Sequence, residues 1–279
     1  MTEDIHVAVI GAGPAGLFAA EKLAGCGYGV ALFNRDIKPG GMAEYGIYPD
    51  KHAVKDGLRR QFHNILLSER IHYFGNVCVG EDRCLSIPQL LGWGIPAVLV
   101  ACGAQGTKWL GIPGEQLKGV YHAKDVVYHY NRLPPFSTMP IKIGKRVVIV
   151  GAGNVMADVA RYLLDQDQVE EVHICVRRGP AEVKFTKKEL GTIIHAFDLA
   201  ALGAEIERIA PLMREIGQEP EKEMELFTSA SLKAAPVQNT VKIFMHFLVS
   251  PTEIVGGQNS HMHGLLLEDN KLVGEPENT

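Results

Sequence analysis

The chain has 279 residues, 46% of them hydrophobic and 22% charged, enough for one large domain or two ordinary ones, each with a buried core. A net charge of −4 gives no general attraction for nucleic acid or anionic lipid, and no apolar run approaches the roughly 20 residues that span a bilayer. The expectation is therefore a protein with neither nucleic acid nor membrane as partner.

The first strand is expected at residues 5–10, so close to the first methionine that no signal or transit peptide fits before it. It leads into Gly11-Ala12-Gly13-Pro14-Ala15-Gly16 and then a helix over residues 17–25, with a second strand at 30–33. The spacing suits a dinucleotide. Gly11 allows the tight turn, Gly13 lets backbone amides approach a pyrophosphate, and Gly16 lets the helix lie close on the strand. The positive end of the helix then faces the phosphate charge.

A second unit begins with a strand at 146–150, followed by Gly151-Ala152-Gly153-Asn154-Val155-Met156 and a helix through Asp158, Arg161 and Leu164. Its second strand, 172–176, ends in Arg177-Arg178 with no acid. A carboxylate there bonds a ribose 2′-hydroxyl, whereas arginine accepts a 2′-phosphate, so NADP is favoured over NAD. Met156 stands where a small residue is usual. Either its side chain turns off the contact face, or the helix stands slightly away. Two such units about 140 residues apart imply two nucleotides with hydride passing between them.

Five cysteines (Cys26, Cys78, Cys84, Cys102, Cys175) show no metal-ligand spacing, no CxxC and no disulfide framework. They point to a reducing, cytoplasmic compartment, and several fall in strand-like or helix-like runs where a cysteine behaves as a small buried hydrophobe. No metal site is expected. His261 and His263 share one strand face but lack further ligands.

At Gly40-Gly41-Met42-Ala43-Glu44-Tyr45-Gly46-Ile47-Tyr48-Pro49-Asp50 the sequence resembles the flavin-contacting segment of the adrenodoxin reductase family, the FprA type of ferredoxin–NADP reductase. Ala101-Cys102-Gly103-Ala104 with Ile112-Pro113-Gly114-Glu115 resembles the strand that returns to the flavin and the connector into the NADP domain. Gly151–Val155 with Asp158 and Arg161, then Arg177-Arg178-Gly179-Pro180, Phe185-Thr186 and Glu189-Leu190, is similar to the family's NADP site.

The resemblance implies an α/β fold of two tandem, three-layer Rossmann-like domains: an FAD domain at 1–104 and an NADP domain at 105–279. It implies an NADPH-dependent flavoprotein reductase whose FAD passes single electrons to an acidic, ferredoxin-like iron–sulfur protein. Gly11, Ala12, Gly13, Pro14, Ala15 and Gly16 would hold the FAD pyrophosphate. Asn34 and Arg35 would stand at the adenosine ribose. Gly41, Met42 and Gly46 would lie along the flavin and ribityl, with Val77, Cys102 and Gly103 in the same set. Gly151, Gly153, Asn154 and Val155 would meet the NADP pyrophosphate, and Arg177, Arg178 and Glu189 the 2′-phosphate. Lys51, His52 and Asp158 are the catalytic candidates.

Three positions depart from the family. Asn34 replaces an acid, Lys51 stands where a histidine follows Pro-Asp with His52 one place later, and nothing after residue 250 resembles the family's later flavin contacts. The FAD domain is therefore expected to be incomplete at its C-terminal end, with exposed edges that invite self-association. Beyond the motifs, residues 205–225 read as a helix broken by a surface loop. Residues 241–248 read as a strand, and 264–273 as two short strands around Asp269-Asn270. The basic run 184–188 either steers an acidic partner or is a solvated helix face. Two further readings stay open: an electron-delivering subunit resembling the glutamate synthase small subunit, and a catalytically silent nucleotide-binding module.

Overall fold

The computed structural model describes residues 5–104, 106–234, 240–257 and 260–274. The chain divides into two compact units, Met1–Thr107 with Val127–Met139, and Lys108–Val126 with Pro140–Thr279. The segment that returns to unit 1 has no counterpart in the single boundary expected at 104/105.

Unit 1 is built on β1 (Val7–Ile10), α1 (Pro14–Gly25), β2 (Val30–Asn34), α2 (Met42–Tyr45), α3 (His52–Leu66), β3 (Ile71–Gly75), α4 (Ile87–Gly92) and β4 (Ala97–Val100). The strands form a parallel sheet in the order β3-β2-β1-β4, with Val7 opposite Val30 and Ala97. Side chains alternate across it. Val9 and Leu32 pack with Leu17, Ala20, Phe62 and Ile65 on one face. Ala8, Ala31 and Phe33 pack with Leu85, Leu90 and Ile95 on the other. The reversal of strand order between β3 and β4 sends the last crossover to the second face, which makes three layers. Helix α5 (Ala123–Tyr130) carries the chain back into this unit.

Unit 2 contains β5 (Arg146–Val150), α6 (Asn154–Leu164), β6 (Glu171–Val176), α7 (Lys187–Ile193), α8 (Leu199–Glu215), α9 (Pro220–Lys233), β7 (Lys242–Phe247), β8 (Val249–Gly256) and β9 (Met262–Asp269). Strands β5-β6-β7 form a parallel sheet, and β8-β9 an antiparallel ribbon. Val172, Ile174, Ile243 and Met245 are buried, while His173, Phe244 and His246 on the alternate positions are half-buried. The tandem Rossmann-like architecture is as expected.

Residues 205–225 are a helix broken by a loop, as expected: Pro211 is carried inside α8, and the break comes at Gly217, whose φ of 78° ends the turn before Pro220 opens α9. Other local expectations are corrected. Residues 264–273 do not make two strands. Partner β8 is eight residues long and keeps β9 extended through Asp269, and the strand stops at Asn270. Of the cysteines only Cys175 is buried; Cys78 is intermediate, and Cys26, Cys84 and Cys102 are exposed, because they lie outside the helices and strands. In the basic run, Lys187 and Lys188 open α7, while 184–186 precede it.

Candidate functional site

The two glycine turns share one construction. Gly11, with φ of 105°, donates its N–H to Phe33 O at 2.7 Å; Gly151, with φ of 111°, donates to Cys175 O at 2.9 Å. Each positive φ is one that a side chain resists, so glycine is required where the strand turns into the helix. Gly13 and Gly153 then cap α1 and α6, and no atom lies within 4 Å of a Cβ built on either. The first-turn amides of each helix have no helical acceptor and are free to meet an anion there.

The first turn is the tighter one. A Cβ on Gly16 would stand 1.8 Å from Gly11 O, and one on Gly11 would stand 2.5 Å from Ala101 O. Strand β4 therefore brings Cys102 and Gly103 beside the turn, since the same Gly11 Cβ would meet Cys102 Cα at 2.9 Å. Gly40 N donates to Ala12 O at 2.7 Å, and a Gly41 Cβ would come 3.0 Å from Gly13 Cα. The segment 40–46 is thus laid across the turn, with Met42 56% exposed beside it. Ala15 is exposed, Ala12 buried, and Pro14 occupies the first helical position.

Asn34 is buried, and its amide is committed within the protein. Its Oδ1 accepts from Ala12 N at 3.1 Å, and its Nδ2 donates to Asp36 O at 2.8 Å and Lys38 O at 3.1 Å. The donor side of the amide thus holds the loop after β2, with Tyr73 Oη a third neighbour at 3.3 Å. A carboxylate could not make the two donations. Val77 likewise acts through its backbone, donating to Asn34 O at 2.9 Å.

Next to Asn34, the exposed Arg35 pairs with Asp36 at 3.1 Å and lines a pocket of about 640 Å³ with Lys38, His52, Lys55, Arg59 and Arg132. Sequence reasoning missed Lys55, Arg59 and Arg132. Lys55 follows His52 by one helical turn, which is a signal available in the sequence, but Arg132 arrives only through the returning segment. Lys55 is buried and donates to Asn131 Oδ1 at 2.8 Å; burial lowers its pKa, against the pull of Glu44. Glu44 accepts two bonds from Arg59 at 2.8 Å, which hold its carboxyl below the usual range. Burial pushes Tyr45 up to about 12. Lys51 precedes α3 as its cap and His52 opens the helix.

The second turn is looser. No atom lies within 4 Å of a Gly151 Cβ, because among the described residues β5 has a strand on one side only. Met156 is 4% exposed, so its side chain turns into the core of unit 2. The first bond of α6, Ala157 N to Gly153 O, is 3.4 Å, against 2.9 Å for Leu17 N to Gly13 O. Asn154 Oδ1 accepts from Thr186 N at 3.0 Å, tying the approach to α7 onto the turn, and Val155 is 54% exposed. Arg177 and Arg178 are both exposed at the end of β6. Glu189 is half-buried in α7, and Asp158 half-buried in α6. Among the described residues no three His, Cys, Asp or Glu side chains cluster as metal ligands, and no helix is long and apolar enough to cross a membrane.

The pyridine nucleotide-disulphide oxidoreductase family matches residues 5–208. The mitochondrial NADPH:adrenodoxin oxidoreductase of Arabidopsis thaliana is 34% identical over 68% of this chain and 43% of that protein. The NADPH-ferredoxin reductase FprA of Mycobacterium leprae is 31% identical over 96% of this chain and 64% of that protein. Mycobacterium tuberculosis FprA in complex with NADPH superposes with a TM-score of 0.78 at 28% identity, covering 99% of this chain and 66% of that one. Thioredoxin reductase of T. acidophilum shares the fold alone, with a TM-score of 0.52 at 18% identity. The chain thus spans between 43% and 64% of the length of these curated relatives.

Proposed function

The chain belongs to the pyridine nucleotide-disulphide oxidoreductase family, and from that premise we propose that it holds FAD at the turn of residues 11–16 and NADPH at the turn of residues 151–155. The observation that carries this reading is the duplicated turn, with Gly11 and Gly151 in the same positive-φ conformation and the same bond to the neighbouring strand. The residues fit both groups. Open space in front of Gly13 and Gly153 admits a pyrophosphate, and the exposed Arg177 and Arg178 offer guanidiniums to a 2′-phosphate.

Bound FAD supplies the redox chemistry, accepting a hydride from NADPH and releasing electrons singly to a ferredoxin-like iron–sulfur protein. The chain's own residues bind and orient. Gly41, Met42, Gly46, Cys102 and Gly103 are assigned to the flavin beside the first turn, and Asn154 and Val155 to the pyrophosphate beside the second. Lys51, His52 and Asp158 are the side chains assigned to holding or moving a proton near the rings. The exposed Lys184, Lys187 and Lys188 favour an acidic partner by charge complementarity. Strands β4 and β5, each paired on one side among the described residues, favour self-association with a second copy. A cytoplasmic setting rests on five cysteines that form no disulfide, although curated relatives include mitochondrial proteins.

The test is a visible spectrum of the purified chain before and after anaerobic NADPH. Flavin bands that bleach support the reading; a colourless protein that ignores added FAD overturns it for this chain alone. Cytochrome reduction that requires added ferredoxin separates this reading from an electron-delivering subunit. One observation favours the silent nucleotide-binding module: Asn34 gives its amide to the protein. Flavin that binds but never bleaches would decide for it.

A further inference from the structure

The two arginines at the end of β6 are exposed, yet both their carbonyls are held, as is the N–H of the next residue. Asn270 Nδ2 donates to Arg177 O at 3.0 Å. Leu248 N donates to Arg178 O at 3.3 Å, and Gly179 N donates to Glu182 Oε2 at 2.9 Å. Asn270 is itself fixed: its N–H donates to Leu248 O at 2.7 Å, and its other Nδ2 hydrogen goes to Ser250 Oγ at 2.9 Å.

Leu248 links β7 to β8 and is buried at 1% exposure with φ of 54°. A bulky residue in the left-handed region is a real outlier, and such strain persists where surrounding contacts over-determine it. Both polar backbone groups of this strained residue serve the same clamp, one on Arg178 and one on Asn270. A long, exposed arginine discriminates between ligands only as far as its Cα is fixed; otherwise ordering the side chain takes back much of the gain.

We infer that Asn270, seated by Ser250 and Leu248, is a positioning residue that presents Arg177 and Arg178 to the 2′-phosphate and thereby sets the preference for NADPH over NADH. The inference rests on the proposed NADP site. It also explains why an asparagine follows the end of β9. The position needs a donor toward the Arg177 carbonyl, which aspartate lacks, and a carboxylate there would compete with a phosphate for the two guanidiniums.

The experiment titrates adenosine 2′,5′-bisphosphate and 5′-AMP into the full chain by calorimetry, comparing wild type with Asn270→Ala, Asn270→Asp, Ser250→Ala and the double variant Arg177→Ala/Arg178→Ala. Wild type is expected to favour the bisphosphate, and the double arginine variant to lose that preference. Asn270→Ala is expected to lower the bisphosphate-to-AMP affinity ratio roughly five-fold, the equivalent of one neutral hydrogen bond, with 5′-AMP binding unchanged. Asn270→Asp should lower the ratio further. A purely structural role would weaken both ligands together and leave the ratio alone. An unchanged ratio in a folded Asn270→Ala overturns the inference while leaving the NADP site intact. A wild type without preference overturns the underlying reading, and the inference with it. Should Asn270→Ala not fold, Ser250→Ala decides by the same ratio, with a smaller drop expected.

Discussion

At the scale of single residues, the two glycines that flank the first turn should behave oppositely. Gly16→Ala forces a Cβ to within 1.8 Å of Gly11 O, a backbone atom that cannot swing aside. It is expected to cost about 1–3 kcal/mol or more by overpacking and to abolish flavin retention, read by denaturant unfolding and by the 450 nm band. Gly13→Ala meets nothing within 4 Å, so the chain should fold as wild type and lose FAD affinity only. Asn34→Asp is the sharper test. Resemblance to relatives with an acid there argues that aspartate should tighten FAD. The hydrogen bonds argue that it sets a carboxylate against Asp36 O and Lys38 O and destabilises by about 1–3 kcal/mol. Tighter FAD with unchanged stability would show the internal role to be wrong. The glycines were legible in the sequence because a positive φ and a close approach admit no other residue. The role of Asn34 was not, because its Oδ1 meets Ala12 N, 22 residues earlier in the first turn, and its Nδ2 meets Tyr73, 39 residues later on β3.

Among the elements, α8 carries Pro211 exposed in its interior, where the ring removes one helical donor. Pro211→Ala should raise stability by about 1 kcal/mol or more without touching either turn, as a thermal melt would show. On β6 and β7, His173 Nδ1 and His246 Nε2 lie 3.0 Å apart, with Glu171 beyond and Glu205 and Arg208 facing His246 from α8. Burial lowers the His246 pKa, helped by His173 and Arg208 and opposed by Glu205. With the folded pKa below the ordinary histidine value of 6.5, the unfolded chain binds the proton first. Stability is therefore full above about pH 6.5 and falls as the pH drops below it. His246→Gln should flatten the melting curve between pH 7 and 5. The single-sided strands make a third expectation. Leu99, Val100 and Val150 are exposed at 39%, 58% and 45% on β4 and β5, so association should rise with concentration. Leu99→Lys with Val150→Lys should suppress it in sedimentation velocity; unchanged association would remove the edges from the account.

For the whole molecule, much of the architecture could be read before any coordinate. The strands beginning both units, the turns and the second strands stood within a few residues of their expected places, because period-2 apolar runs ending in glycine leave few alternatives. Other features were illegible for one shared reason. The return of Val127–Met139 to unit 1, the basic pocket with Lys55 and Arg132, the buried seat of Met156 and the clamp of Asn270 on Arg177 all join residues far apart in the chain. Local pattern reports what a residue does to its own backbone and to neighbours one helical turn or one strand step away. By itself, then, the sequence determined two glycine turns in series and the pair of arginines proposed for a 2′-phosphate, since backbone conformation and charge are properties of the residues themselves. Only the tertiary structure decided that Asn34 faces inward, that the first turn is tight and the second open, and that the arginines stand on a fixed backbone. Those outcomes depend on which distant strand or loop supplies the partner.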